Sequence, residues 1–380
     1  MTAAVRTWLC DRPDDALARQ IDRVARQADV TAVAVMPDVH QGRTVPNGVV
    51  VATRHVVYPD LVGADIGCGI AAIRFRAATD DLPGDLLPLV LERLPRAVPT
   101  LKQPRPRADR HRADVEAVGP LSSPRLATAA AREGAYQLGT LGRGNHFLEL
   151  ARDDQGWLWA VVHTGSRAMG QEITAHHLAI ASDTRGGLPA DELPGLDTDS
   201  APGRAYVADM AWACRYAAAN RTAILNAVAD LLEGEAGIDV DPGSFVDSPH
   251  NTATREDVAG GSAIVHRKSA NHAAAGRRGI VAGSMAVGSR IVVGMGNRDS
   301  LCSSAHGAGR VMSRTEARER IGGRDLGVRM RGIVYHEAWS NRFRDESPQA
   351  YRDLHEVMQA QRELVKTERV LTPILNDKRP

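Results

Sequence analysis

Short runs of aliphatic, mostly β-branched residues recur along the chain, and glycine, proline or small polar residues bound each run. This pattern is typical of short buried strands joined by turns. The runs that predict strands are, in chain order, Thr31–Val35, Gly48–Ala52, Trp157–Val162, Ser244–Val246, Ala263–Lys268, Gly279–Ala282 and Arg290–Val293. One more short strand is predicted at Asn145–Leu150, where a glycine-rich loop ends.

Helices are predicted where apolar residues recur at helical spacing behind a start signal. The first helix follows Asp11 and Pro13, and the others cover residues 83–96, 123–137 and 203–233 and begin at Ser313 and at Ser347. Residues 36–42 predict a polar turn, and residues 186–203 predict a mobile loop because they are rich in Gly, Pro and Asp. Since no repeat or linker is evident, residues 1–380 are predicted to form a single domain.

Composition excludes several classes of protein. A net charge of +1 over 380 residues gives no global nucleic-acid signal, so any such signal must be local. The chain has four lysines, none in a Gly-Lys or Lys-x-Asp-Gly setting, which disfavours P-loop enzymes and lysine-nucleophile nucleotidyltransferases. No run of about 18 apolar residues and no signal-peptide pattern occurs, so no membrane association is expected. The four cysteines form no CxxC pair, which fits a reducing cytoplasm.

The most distinctive stretch places a carboxylate and a thiol three residues apart between glycines, at Asp65 and Cys68. Such a pair could point at one metal ion, because carboxylates suit hard cations and thiolates softer ones. The alternative is a glycine-rich turn with a buried cysteine. The metal interpretation gains support from four histidines elsewhere that also lie in glycine- or asparagine-flanked settings. Asp38 and His40 could support such a site or could simply form a turn.

Other loops predict anion and nucleotide contacts. Ser166 is predicted to cap a helix whose first turn contains Arg167, and an anion there would meet both helix N–H groups and a guanidinium. The small-residue loop at residues 283–289 could hold a nucleotide by its backbone. His306 lies in a loop of small residues, and Arg310 and Arg314 are expected to converge near it on a triphosphate. Residues 102–112 form a basic loop that is either a solvated surface or, beside an RNA site, a phosphate contact.

Seven sequence blocks occur in an order that resembles the RtcB family of RNA-splicing ligases. The blocks are Met36–Gly42, Asp65–Gly69, Gly144–Glu149, His163–Arg167, His250–Asn251, His266–Lys268 and Ser304–Arg310. The resemblance spans roughly residues 36–378, and seven blocks in order are far more specific than any single glycine motif. It implies an α+β fold in one domain, with a β-sandwich-like core of mixed sheets flanked by helices and metals in a central cleft.

The activity implied by the resemblance is GTP- and manganese-dependent joining of RNA ends in tRNA splicing or RNA repair. One end is a 2′,3′-cyclic phosphate or 3′-phosphate, the other is a 5′-hydroxyl, and a histidine–GMP intermediate activates the RNA 3′-end. The resemblance also suggests an archease-like protein as an activating partner. The identity of the metal as manganese comes from the family resemblance, because mixed O, N and S ligation would also suit Zn²⁺ or Co²⁺.

Motif matching also implies individual roles. His306 matches the histidine that takes GMP. The matches to ligands of two manganese ions, with Cys68 bridging them, are Asp65, Cys68, His146, His163 and His250. The matches to the guanine-nucleotide site are Asn145, Phe147, Glu149, Ser284, Ser289, Ala308, Gly309, Tyr351 and Lys378. The matches to RNA phosphate or triphosphate contacts are Arg167, Lys268, Arg310 and Arg314.

Two rival functions are compatible with parts of this pattern. A metal-dependent cyclic phosphodiesterase or phosphatase that does not ligate would need the metal ligands but not His306. A non-enzymatic RNA-binding protein with this fold would need neither, so the complete set of candidate ligands argues against it.

Overall fold

The structure, a computed structural model, describes residues 3–183, 189, 191–258 and 261–379. Eleven helices occur in the described residues. They are α1 (Asp15–Ala25), α2 (Leu86–Ala97), α3 (Arg105–Arg110), α4 (Arg112–Ala117), α5 (Pro124–Ala129), α6 (Ala135–Gln137), α7 (Arg167–Asp183), α8 (Ala201–Ala236), α9 (Arg314–Arg320), α10 (Gly323–Arg329) and α11 (Leu354–Ala360). A π-helical turn at Ala130–Gly134 joins α5 to α6. No described helix is both long and apolar enough to cross a membrane.

The strands are distributed along the whole described chain and range from two to 13 residues. They are β1 (Ala4–Thr7), β2 (Val30–His40), β3 (Asn47–Thr53), β4 (Val56–Val57), β5 (Gly69–Ala78), β6 (Phe147–Asp153), β7 (Trp157–Thr164), β8 (Leu196–Asp197), β9 (Val240–Pro249), β10 (Asn251–Val258), β11 (Gly261–Lys268), β12 (Ala270–His272), β13 (Arg278–Ala282), β14 (Ser289–Gly294), β15 (Ser303–Ala305), β16 (Val334–Tyr335) and β17 (Val365–Asp377). Strands β4 and β8, and strands β12 and β15, form two small separate pairs.

The larger sheet curls until its two ends meet. Its strands run in the antiparallel order β13-β14-β17-β6-β7-β5-β9, and β16 adds to β17 in parallel. Arg278 of β13 donates from Nη1 to the Ser244 carbonyl of β9 at 3.5 Å, so the sheet is nearly closed. Because alternate residues of a strand face opposite sides, one face buries an apolar cluster that includes Ile70, Trp159 and Ile291.

The opposite face of this sheet is covered by helices. Leu148 and Val162 of the sheet pack in one buried cluster with Ile224 and Val228 of α8 and with residues of α2. Helix α8 is 36 residues long and ends at Gly237, whose φ of 64° is the left-handed conformation that glycine adopts at helix ends. The long helix therefore supports the strands that lead to the site.

The second sheet has five strands in the order β1-β2-β3-β11-β10. Strands β1 and β2 pair in parallel and the remaining neighbours pair antiparallel. Leu17 and Val24 of α1 pack against one face, and Val357 of α11 belongs to the buried cluster on the other. Mixed sheets with helices on their outer faces confirm the α+β class.

Two predicted loops are wrong. Residues 36–40 continue strand β2 through a bulge after Val35 and pair again at His40 with Asn47, and they are almost all buried. Residues 105–117 form α3 and α4 instead of a basic loop. Proline at the first turn of α3 is compatible with a helix because the N–H it lacks has no intrahelical partner there.

The C-terminal prediction also needs correction. Ser347 and Pro348 open only a short 3₁₀ turn, and the last helix begins at Leu354 behind the capping carboxylate of Asp353. Strand β17, which was not predicted, then occupies the middle of the larger sheet between β14 and β6. The mobile loop predicted at 186–203 lies partly outside the described residues, and its remainder contains β8 and the start of α8.

Candidate metal centre and nucleotide pocket

The structure brings the five predicted metal ligands together as two overlapping triads. Cys68 belongs to both triads, with Asp65 and His146 in one and with His163 and His250 in the other. The Cys68 Sγ lies 3.2 Å from His163 Nε2 and 3.7 Å from His146 Nε2. His146 Nε2 is 3.0 Å from the Asp65 carboxylate, and His163 Nε2 is 3.3 Å from His250 Nε2. One thiol therefore lies between two sets of donors.

Strand pairing explains why residues so distant in sequence meet here. Strand β5 begins directly after Cys68, and its first residue pairs with Thr164 on one side and Pro249 on the other. Each partner adjoins a histidine, so His163 and His250 flank the thiol. The His250 N–H also donates to the Cys68 carbonyl at 2.8 Å.

A close helix contact fixes the turn before Cys68. Gly67 has a φ of 70°, and a Cβ at this position would lie 2.8 Å from the Cys214 Cα of α8. Only glycine combines that backbone conformation with so close an approach. The glycine-rich turn and the metal interpretation are thus compatible, since the turn is what presents Asp65 and Cys68.

The imidazole rings are oriented through their second nitrogens. His163 Nδ1 lies 3.1 Å from the Asn145 carbonyl, which directs Nε2 toward the thiol. Arg167 Nη1 lies 3.3 Å from His146 Nδ1. The contact of His163 with a backbone carbonyl is typical of metal-binding histidines, whereas Arg167 can only donate to His146 Nδ1.

Ionisation of the candidate ligands suits cation binding. Burial opposes ionisation of Asp65, but hydrogen bonds and charge from His146 outweigh it and lower the pKa to about 2. Burial lowers the pKa of His163 and of His250 well below the usual range, so both rings are neutral and able to ligate. Burial and the neighbouring Asp65 raise the pKa of the Cys68 thiol well above its usual value, and a bound cation would deprotonate it. The donor set therefore fits one or two divalent transition metals.

A polar, glycine-lined pocket adjoins the second triad. It contains every residue predicted for the nucleotide, together with His306, Arg310 and Arg314. Its walls also include His40, His163, Glu346 and Asn376. The alternation predicted for β6 is confirmed, because Asn145, Phe147 and Glu149 face this pocket while Leu148 points into the core.

One residue of the pocket wall has a carboxyl group that is only partly hydrogen-bonded. Glu149 is 1 % exposed; its Oε2 accepts a bond from Asn376 Nδ2 at 3.4 Å, and its Oε1 has no partner among the described residues. Burial raises the pKa of Glu149 to about 8. A buried acceptor without a donor is costly, so this atom marks a position where a ligand donor would be favoured.

The cationic residues predicted to contact anions differ in how far they are already bonded to other protein groups. Arg310 Nη1 donates to the Tyr351 hydroxyl at 3.0 Å, but its buried Nη2 has no partner in the described chain and remains free for an anion. Arg314 lines the same pocket, yet it bonds to Asp345 at 2.7 Å and to Glu346. Lys378 is buried and lies 3.3 Å from Glu346. Arg310 is therefore the better placed of the two arginines for phosphate.

His306 stands between the pocket and the metal centre. Its ring centroid is 4.6 Å from that of His250, a candidate ligand. Its Nδ1 lies 2.7 Å from the Asp38 carboxylate, which also accepts the backbone N–H groups of His306 and Gly307 at 3.1 and 3.2 Å. Asp38 thus holds the ring so that Nε2 is the nitrogen left for chemistry.

Two predicted residues have other positions or partners. The Ser166 hydroxyl is buried without a hydrogen-bond partner in the described chain and does not cap α7; the Gln137 side chain accepts the Ala168 N–H instead. Lys268 lies beside Gly63 and within electrostatic reach of Asp60 and of the candidate ligand Asp65, although it lines neither the nucleotide pocket nor the cavity next to Arg167.

Sequence reasoning missed several residues of the site. Asp38 was considered as support for a metal ligand or as a turn residue, whereas it contacts His306, 268 positions away. Asn376 was not considered because β17 was not predicted. Glu346 carried no signal in the sequence, since its role depends on buried contacts with Tyr351 and Lys378.

Together these features define a class of site in which two candidate metal-binding triads share a wall with a nucleotide-type pocket and a histidine held by a carboxylate. A sequence model of one family, described as tRNA-splicing ligase RtcB, matches residues 20–379. The chain belongs to the RtcB family.

Named relatives match over most of their length. The chain is 33% identical to the RNA-splicing ligase RtcB of Escherichia coli strain K12, over 96% of this chain and 94% of that protein. It is 29% identical to the RNA-splicing ligase RtcB of Mycobacterium tuberculosis, over 87% of this chain and 92% of the relative. It is also 29% identical to the tRNA-splicing ligase RtcB of Thermococcus kodakarensis, over 91% of this chain and 89% of the relative.

Proposed function

We propose that this protein is a GTP-dependent RNA ligase that joins a 2′,3′-cyclic-phosphate or 3′-phosphate end to a 5′-hydroxyl end, in tRNA splicing or RNA repair. The observation that carries the proposal is His306, which Asp38 orients at the wall shared by the nucleotide pocket and the metal triads. The names of the relatives support the ligase class.

The chemistry proposed for His306 is nucleotidyl transfer. Nε2 of the neutral ring attacks the α-phosphorus of GTP, the bond to the β-phosphate oxygen breaks, and pyrophosphate leaves. An oxygen of the RNA 3′-phosphate then attacks the same phosphorus and breaks the P–N bond, which frees His306. The 5′-hydroxyl finally attacks the activated 3′-phosphorus, loses its proton, and displaces GMP. A cyclic phosphate must first be opened by water.

Two Mn²⁺ ions are the proposed metals. Asp65, Cys68 and His146 would hold one, and Cys68, His163 and His250 the other. Such ions would neutralise phosphate charge and stabilise leaving oxygens. Manganese is proposed because the family resemblance implies it. The mixed donor set alone would suit Zn²⁺ and Co²⁺ as well.

Residues from the N-terminal third to the C-terminus line this one site, from Asp38 beside His306 to Lys378 in the pocket wall. This distribution supports treating residues 1–380 as one catalytic domain. An archease-like protein is the proposed activator, and a reducing cytoplasm is the proposed location because Cys68 must remain a thiol to act as a ligand.

Covalent labelling separates ligation from the rival activity. Purified protein would be incubated with α-labelled GTP and Mn²⁺ in the absence of RNA. A histidine–phosphorus bond predicts a protein label that is labile to acid and stable to alkali. A cyclic phosphodiesterase that does not ligate would show no label. Its activity would not require the Asp38–His306 contact or the nucleotide pocket.

Glu149 is expected to select guanine over adenine. Guanine presents an N1–H and an N2 amino group, which a carboxylate can accept together, whereas adenine presents an acceptor at N1. Above about pH 8, where Glu149 is ionised, leaving the buried carboxylate unpaired costs on the order of a few kcal/mol. Glu149→Ala should therefore weaken GTP labelling and narrow the gap to ATP. Parallel labelling with GTP and ATP measures this, and an unchanged GTP:ATP ratio would remove Glu149 from base recognition.

The same carboxyl group predicts a pH dependence. Burial raises the folded-state pKa of Glu149 to about 8, so in the free protein the group is mostly protonated at neutral pH. Its contribution to stability is present below the unfolded-state pKa and is lost as the pH rises through about 8. Donors from guanine favour the ionised form, so GTP binding should release a proton and strengthen between about pH 6 and pH 8.

Calorimetric titration in two buffers of different ionisation heat would measure this proton release. Glu149→Gln is the matched control, because it keeps the shape of the side chain and leaves titration of the GTP phosphates unchanged. Equal proton release by wild type and Glu149→Gln would contradict the assignment.

Asp38→Asn should slow GMP attachment by about 10²-fold or more, because the carboxylate charge stabilises the ring as it becomes cationic during attack. The amide keeps the size of the side chain, so GTP affinity should change little. Single-turnover labelling across GTP concentrations would separate the two quantities, and a variant with a normal rate but weakened GTP affinity would assign Asp38 to binding instead.

A further inference from the structure

A second cavity borders the metal centre at the triad of Asp65, Cys68 and His146. Asn145 lines both this cavity and the nucleotide pocket, so the two spaces are neighbours. The remaining wall residues supply positive charge, amides and two apolar side chains. They are Leu101, Lys102, Gln137, Arg143, Arg167, Ala168 and Gln171.

Positive charge continues from this cavity along the adjoining surface. Residues 102–112 contain five Lys or Arg and one Asp, a local excess of four positive charges in a chain whose net charge is +1. Lys102 and Arg143 line the cavity and have exposed side chains. Arg110 is also exposed and lines a separate cavity beside Gln103, which it shares with Asp114 and Asp230. Such an excess is a local electrostatic footprint for a polyanion.

Few carboxylates neutralise these cations. Lys102 pairs with Glu133 at 2.9 Å while keeping 57% of its side chain exposed. Asp109 lies 3.0 Å from Arg112 and 3.9 Å from Arg105.

Within the described ranges, neither Arg110 nor Arg143 forms an ion pair. These two arginines are therefore available to an external anion.

The basic segment is held firmly against the loop that leads to His146. Gln103 is buried and donates to the carbonyls of Leu138 and Gly139 at 3.1 and 2.9 Å. Arg107 donates to the Ala97 carbonyl at 2.9 Å and to the Gln103 side chain at 3.2 Å. The segment is thus part of the folded surface, and its cations keep a defined position relative to the metal centre.

We propose that the RNA substrate crosses this surface as a single strand, with its reacting end in the cavity at Asp65 and its backbone phosphates on Lys102, Arg110 and Arg143. This inference rests on the proposed function and names the strand-binding surface of the same site. Arginine forks suit phosphate oxygens, and Leu101, which is 46% exposed beside them, offers an apolar contact for a base or ribose.

The test is the salt dependence of RNA binding. Fluorescence anisotropy would follow an internally labelled single-stranded RNA of about ten nucleotides. The triple variant Lys102→Ala/Arg110→Ala/Arg143→Ala should lose three phosphate contacts. Each contact contributes about 0.7 to the slope of log K against log salt on a single strand, so the slope should fall by about 2. Affinity at low salt should fall at least about tenfold.

A matched triple variant removes equal charge from the exposed α10 region, namely Arg324→Ala/Arg329→Ala/Arg331→Ala. Its slope should match that of wild type. An unchanged slope in the first triple, or an equal loss in the second, would overturn the proposal. Unfolding midpoints check that both fold, and Arg143→Ala alone, expected to lower the slope by about 0.7, is the substitute if the triple does not.

Two RNAs would identify which strand the surface holds: one with 5′-hydroxyl and 3′-hydroxyl ends, the other with 5′-phosphate and 3′-phosphate ends. A reduced slope for either supports the surface, and no reduction for both rejects it. Covalent labelling of wild type by GTP without RNA is measured on the same preparation. Its absence would reject the proposed function, whereas normal labelling with unchanged RNA slopes would reject only the RNA surface.

Discussion

His306→Ala is expected to abolish covalent GMP attachment and RNA joining, with labelling reduced by at least about 10³-fold. The reason is geometric, because no other imidazole in the nucleotide pocket combines a free Nε2 with a carboxylate on Nδ1 among the described residues. His163 also lines the pocket, but its Nε2 faces the Cys68 thiol. Labelling with α-labelled GTP, followed by gel electrophoresis under alkaline conditions, measures the loss directly.

A second substitution shows whether a loss of labelling comes from misfolding or from loss of the nucleophile. Asp38 is fully buried, and His306→Ala would leave its carboxylate with only the two backbone donors. His306→Asn can still donate an amide N–H to that carboxylate but has no equivalent of Nε2. Both variants should be inactive while binding as much manganese as wild type. Normal ligation of a cyclic-phosphate RNA by His306→Asn would contradict the nucleophile assignment.

The sequence pattern predicted strands best where the burial is uniform. The run at Gly48–Ala52 lies within β3, whose side chains are almost all buried, so an aliphatic run was sufficient to find it. Strand β17 was not predicted because Lys366, Glu368 and Arg369 interrupt its apolar residues, although it pairs on both sides in the sheet. Pairing with distant strands decided its structure, and no local pattern records such pairing.

The candidate ligands were recognisable from sequence because each lies in a glycine- or asparagine-flanked block. What the sequence could not provide was the direction of each side chain. Asp38 precedes His40 by two residues, yet its carboxylate contacts His306 because β2 continues through a bulge and brings the two together. Lys268, by contrast, matched a family block but lines neither cavity beside the metal centre.

Cys68→Ala is expected to lose at least one metal ion per chain. The thiol is the only donor common to both triads in the part of the chain that the structure describes. Without it, each triad keeps two donors, and a divalent transition ion is held poorly by two protein ligands alone. Elemental analysis of protein loaded with Mn²⁺ and freed of excess metal would measure the occupancy.

The other three cysteines provide matched controls. Cys10, Cys214 and Cys302 are free thiols outside the triads, so their substitution by alanine should leave the metal content unchanged. Cys214 is the most stringent control, because its Cα packs against Gly67 in the turn that presents Cys68. Equal metal content in Cys68→Ala and wild type would contradict the bridging role.

Substitution by Co²⁺ tests the metal–thiolate bond of Cys68 independently. A thiolate bound to Co²⁺ produces a charge-transfer absorption in the near ultraviolet that carboxylate and imidazole ligands do not produce. Burial and Asp65 raise the pKa of the free Cys68 thiol well above its usual range, so an absorption present at neutral pH requires deprotonation by the metal. The band should persist in Cys214→Ala and disappear in Cys68→Ala; a band that survives in Cys68→Ala would place the thiolate ligand elsewhere.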